Sequence, residues 1–205
     1  MSDEGVIKFN CEWTKSAPLD ETLLKDLNVW RNILHRLRLI GVNEDGIGYG
    51  NISIRFRENQ FIISGSGTGR FKTLTGEHYA LVTDHNVETN SICSTGATIA
   101  SSESLTHAMI YERASDVHAV IHVHHFRIWK KLLETLPATA ETIAYGTPEM
   151  ANEIARLFDE QNLMQHRIFA MAGHYEGVVC FGKDLNHAAE LLVDHLNEAK
   201  ADKPQ

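Results

Sequence analysis

The chain has 205 residues, 43% hydrophobic and 22% charged, enough to bury a core without disulfide staples. Nineteen Lys+Arg against 27 Asp+Glu give a formal charge of −8, the wrong sign for counterion-driven nucleic-acid binding or for a basic face docked on a membrane. Three scattered cysteines (Cys11, Cys93, Cys180) without a CxxC, an acidic start without an apolar leader, and no run of ~18 apolar residues predict a cytoplasmic protein. No linker, repeat or charge block interrupts residues 1–205, so one domain is expected, with its core over about 20–199 and only 198–205 polar enough to fray.

In chain order, Leu23, Leu27, Trp30, Leu34 and Leu37 share a 3.6-residue period and predict a helix over 21–40, with Asp20 as N-cap and Gly41 as its stop. A glycine-studded turn, Gly46-Ile47-Gly48-Tyr49-Gly50, leads into an alternating strand, Asn51-Ile52-Ser53-Ile54-Arg55-Phe56. Arg57-Glu58-Asn59-Gln60 reads as a hairpin turn into Phe61-Ile62-Ile63. A short strand over 79–83 and a helix opening at Ser101 and running to 113 follow. The β-branched run 117–123 reads as a central strand. Helices are expected over 126–136, 147–161 and 184–199, with short strands at 168–170 and 177–181 around a tight loop. Hairpins early and helices between later strands suggest a helix–sheet–helix sandwich with a largely antiparallel or mixed sheet.

Twelve histidines make an HxH pair weak by itself, since about 0.7 would arise by chance at this content. The context of His122-Val123-His124 raises its weight. On a strand, residues i and i+2 share a face, so both imidazoles can reach one ion at ~2.0–2.1 Å. His174, between Gly173 and Gly177 in a connection between strands, is the third candidate ligand. His118 shares the strand face of His122 but lies near the strand start and is taken as structural. His125 points to the face opposite His124, and His107 and the others read as helix-face or loop residues.

Three small polar turns also carry chemistry. Gly50-Asn51 enters a strand, and Ser64-Gly65-Ser66-Gly67-Thr68-Gly69 follows one, with Arg70 behind it as a further charge for an anion. Ser101-Ser102-Glu103 opens a helix, where a carboxylate either complements the dipole or serves chemistry, and where exposed N–H groups favour an anion. Glycines let backbone N–H groups converge and hydroxyls add donors. The spacing fits neither a Walker A loop nor GxGxxG.

Taken together and in order, Gly50-Asn51-Ile52-Ser53, Ile63-Ser64-Gly65-Ser66-Gly67, Ser101-Ser102-Glu103, His122-Val123-His124, Tyr145-Gly146-Thr147 and Gly173-His174 before Gly177-Val178 resemble the class II aldolase/adducin family. The resemblance runs from about Asp26 to Leu196. It implies an α/β fold, a three-layer α/β/α sandwich with a mostly antiparallel central sheet, assembled as a homotetramer with sites between subunits. It implies that His122, His124 and His174 hold a divalent metal, zinc first, with manganese, iron or cobalt as alternatives. Glu103 falls where the family's aldolases keep their proton-transfer glutamate. Asn51, Ser66, Gly67, Ser101 and Ser102 match the phosphate pocket. The implied activity is that of a metal-dependent lyase acting on a hydroxy-ketone or sugar phosphate through a metal-stabilised enediolate. Epimerase, dehydratase, decarboxylase and adducin-head-like binding module are the alternatives. Two departures bear on the substrate. The family's aldolases carry a tyrosine a few residues after Pro137, where this chain reads Ala138-Thr139-Ala140-Glu141-Thr142, which offers Glu141 for the place. The third-histidine segment reads His174-Tyr175-Glu176-Gly177 in place of His-Gly.

Overall fold

The computed structural model describes residues 5–201, so the acidic start at 1–4 and the tail at 202–205 lie outside the described residues. In chain order the elements are β1 (Asn10–Lys15), α1 (Glu21–Arg36), β2 (Gly41–Val42), β3 (Gly48–Tyr49), β4 (Asn51–Arg57), β5 (Gln60–Ser64), β6 (Tyr79–Asn86) and β7 (Ser91–Gly96). There follow α2 (Ser104–Arg113), β8 (Ala119–His124), α3 (Phe126–Thr135), α4 (Pro148–Glu160), α5 (Leu163–His166), β9 (Ile168–Ala170), β10 (Gly177–Gly182) and α6 (Leu185–Ala201). Eight strands form one sheet in the order β1-β7-β6-β5-β4-β8-β10-β9, and β2 pairs with β3 separately. Within the large sheet the β1–β7 pair is parallel and every other neighbouring pair is antiparallel.

Strand parity divides the core in two. Phe61, Ile63, Val120, Val179 and Phe181 face α2 and α4, whereas Ile52, Ile62, Ile121, Val123 and Val178 face α1, α3 and α6. The sheet is therefore covered by helices on both faces, the three-layer arrangement anticipated from the sequence. β8 lies mid-sheet and is buried on both sides up to His122, which is why it reads as a continuous apolar run.

Several expectations need correcting. The first helix ends at Arg36, not Ile40, with Leu37 as C-cap; Arg38 at φ 60°, not Gly41, takes the left-handed position. Its buried face is Leu24, Leu27, Arg31 and Leu34, while Leu23 and Leu37 are exposed. The polar Arg31 in mid-stripe disguised that face. Asp20 does cap it, accepting from the Thr22 N–H at 2.8 Å. The helix expected to open at Ser101 begins at Ser104, so 101–103 form a turn with Glu103 at the N-cap position. The expected strand 117–123 is Ala119–His124, and 79–83 extends to Asn86. Residues 198–201 remain helical. β1 and β7 were not foreseen.

Candidate metal centre and substrate cleft

The centre forms where β8 meets the β9–β10 connection. His122 and His124 sit two apart on β8, so the pleat projects both toward the α2/α4 layer, and His122 lies opposite Asn51 of β4 and Val179 of β10. The turn between β9 and β10 returns His174 to them. It is held by the His174 N–H to the Met171 carbonyl at 3.0 Å and the Gly177 N–H to the His174 carbonyl at 2.8 Å, and Glu176 takes φ 64°. Nε2 of His124 lies 3.2 Å from Nε2 of His122 and 2.8 Å from Nε2 of His174. All three ligand atoms fall within 4.8 Å of one another. Tetrahedral zinc with Zn–N of ~2.1 Å sets its nitrogens about 3.4 Å apart, so the trio fits a small divalent cation.

The electrostatics agree. His122 is fully buried, and burial first, then the neighbouring His124, His174 and His107, hold its pKa well below the ordinary value, which keeps it a neutral donor. Neutral imidazoles facing one another through Nε2 satisfy each other poorly, since a bond between two rings needs a proton on one and a lone pair on the other. A shared cation answers all three lone pairs. Glu103 is buried beside them, its Oε1 3.9 Å from Nδ1 of His174 and its Oε2 accepting from the Thr106 hydroxyl at 3.0 Å.

The polar turns converge as expected. Asn51, Ser66, Gly67, Ser101, Ser102 and Glu103 line a common cavity. Arg31 positions the glycine loop from behind. Its buried guanidinium donates to the carbonyls of Thr68 at 3.1 Å, Gly69 at 3.3 Å and Lys72 at 3.0 Å. Gly69 is required there, because a Cβ would lie 2.1 Å from the Gly41 carbonyl oxygen. The cavity is narrow, and Gly5 forms part of its wall.

A much larger cleft, about 860 Å³, opens over His124 and His174. Tyr145 forms one wall, its ring edge-on to His174 with centroids 4.6 Å apart, and Tyr49 packs on His124 at 5.4 Å. Tyr175, exposed at the rim, stacks with Trp129 and Phe126. Burial raises the Glu176 carboxyl, and burial together with Glu176 raises the Tyr49 phenol.

Two expected placements do not hold. His118 is exposed ahead of β8, in a separate cleft beside Asp26 and Trp30 of α1 and Asp184. Arg70 lies over the Phe71 ring and borders a neighbouring cleft, outside the polar cavity. Glu141, offered for a place that in the family's aldolases reaches a neighbouring subunit's site, is exposed on the surface away from this chain's own cleft, and its backbone carbonyl packs closely around Gly173. Reading helix faces alone also missed His107, which is fully buried beneath the centre.

The chain matches the class II aldolase and adducin N-terminal domain over residues 43–200. It belongs to that family. Solved structures extend the likeness at the level of the fold. An L-fuculose 1-phosphate aldolase superimposes with a TM-score of 0.66 at 18% identity, over 89% of this chain and 84% of that one. YgbL of Escherichia coli, a putative aldolase/epimerase/decarboxylase, gives 0.65 at 16%, over 90% and 92%. The L-fuculose-1-phosphate aldolase of Thermus thermophilus gives 0.58 at 20%, over 91% and 100%. No curated protein matches the chain. Among the described residues, no helix of this class II aldolase/adducin chain is long and apolar enough to cross a membrane.

Proposed function

We propose that this class II aldolase/adducin chain is a divalent-metal-dependent lyase of aldolase type acting on a small hydroxy-carbonyl compound. The observation that carries the reading is the convergence of three Nε2 atoms beside a buried carboxylate. His122, His124 and His174 are the proposed ligands, and zinc suits three neutral imidazoles with a fourth position left to substrate. When bound, the ion supplies Lewis acidity that polarises a carbonyl or hydroxyl oxygen. The chain's own residues supply the rest. Glu103 removes and returns the proton at the reacting carbon, in a pocket that excludes water well enough for a carboxylate to act as a base. Asn51, Ser66, Gly67, Ser101 and Ser102 present donors to the polar end of the substrate and fix its orientation. Tyr145 braces the His174 ring.

Metal analysis of untagged protein, followed by Glu103→Gln, tests this. Near-stoichiometric metal is expected in both proteins. Turnover in an aldol-cleavage screen run with and without chelator should fall at least ~100-fold in the variant. A folded protein that carries no metal is the outcome expected of a binding module, and undiminished turnover in Glu103→Gln removes the glutamate from proton transfer.

A further inference from the structure

Part of the wall of the site comes from outside the stretch matched to the family. Gly5 lines the polar cavity together with Asn51, Ser102 and Glu103, and Lys8 lines the cleft over His124 and His174. One short segment thus borders both cavities. A molecule that reached the polar donors and the histidines together would lie against it.

The two ends of this segment are held differently. From Lys8 onward the chain is anchored. The Asn90 side chain donates to the Lys8 carbonyl at 2.9 Å, Phe9 is buried in the core, and the Asn10 N–H donates to the Asn90 carbonyl at 2.7 Å as β1 joins β7. Ahead of Lys8 the chain belongs to no strand. Ile7 is partly buried against the core, but Val6 is exposed and its backbone is pinned by one side chain. The Tyr145 hydroxyl accepts from the Val6 N–H at 3.0 Å and donates to the Val6 carbonyl at 3.3 Å. Gly5, at φ 76°, rests on the turn between β2 and β3, where a Cβ would stand 3.4 Å from Ile47 Cγ2. Freeing Val6 therefore breaks two bonds to a single hydroxyl, whereas moving Phe9 would empty a core position. That makes Lys8 the hinge and Tyr145 the latch.

We propose that residues 5–7 are a lid, hinged at Lys8 and latched by the Tyr145 hydroxyl, that opens to admit substrate to the site and closes over it. The lid goes beyond the lyase reading and rests on it only for what is admitted. A thiol placed under the lid tests it. Ser102→Cys, in the full chain, puts a cysteine at a buried position on the wall of the polar cavity. Its labelling by iodoacetamide, read on the modified peptide by mass spectrometry, follows the open fraction of the lid. Tyr145→Phe keeps the ring against His174 and removes the hydroxyl, and should speed that labelling about tenfold. Val6→Pro removes the donor on the lid side at an exposed position and should act in the same direction. Ser101→Cys, on the same wall, serves as the repeat. Cys180, buried in the core layer on the other face of the sheet, reports global unfolding, and its labelling should not change. Labelling indifferent to either latch variant overturns the proposal, as does an acceleration that Cys180 shares. Metal content is measured alongside. Full metal with latch-independent labelling spares the lyase reading and removes the lid; latch-dependent labelling in a chain without metal does the reverse.

Discussion

His107 shows how one buried side chain couples the centre to the core. Its Nδ1 lies 2.7 Å from Ser53 Oγ, which also lies 2.7 Å from the Tyr111 hydroxyl, and all three groups are buried. Burial drives its pKa from 6.5 down to about 3. The fold thus keeps it neutral where an unfolded chain would protonate it. The stability this contributes is intact above pH 6.5 and is lost as pH falls from 6.5 toward 3, at about 1.4 kcal/mol per pH unit. Urea unfolding of metal-free protein between pH ~6 and ~4 should show at least that slope, since buried His122 adds to it in the same direction, and His107→Gln, which keeps a partner for Ser53, should flatten it by about 1 kcal/mol per unit. The metal candidates were legible because strand parity places His122 and His124 on one face. His107 was not, because a helix buried through Ser104–Tyr111 leaves no apolar stripe to mark an inward histidine.

Among the elements, α1 does more than cover the sheet. Arg31 ties it to three carbonyls of the loop behind the polar cavity, and removing the guanidinium would strand those acceptors in a buried place. Arg31→Met should cost about 2–4 kcal/mol by urea denaturation and loosen the loop, visible as faster amide exchange at 66–69. The period of this helix was evident, but its inward face was displaced by the rule that charged residues point out. β9, α3 and the hairpin of β4 and β5 were readable from local pattern and turn residues. β7 was not, because its inward positions are Ile92, Ser94 and Gly96, too small and polar to register as a hydrophobic alternation.

For the whole molecule, a shared ion would join β8 to the loop between β9 and β10, adding a cross-link at the sheet's far side. Because such an ion binds only the folded arrangement, free metal at ~100 times its Kd should raise stability by about 2.7 kcal/mol. For a chain of this size that is a rise in Tm of roughly 5–10 °C over chelated protein. His122→Ala should abolish the difference, and an equal metal-induced shift in that variant counts against the trio as ligands. The layered architecture followed from the order of hairpins and helices, and the outermost strand escaped along with β7, since parallel pairing leaves no turn between β1 and its partner to read.

That outermost strand has a kinetic corollary. Asn10 pairs with Ser91, so β1 gains its partner only after the intervening hairpins have assembled, and the entropy of closing so long a loop defers its docking. The amino-terminal stretch that roofs the centre therefore joins late in folding. A nearly finished molecule, otherwise native, would pass through a stage with its pocket unroofed.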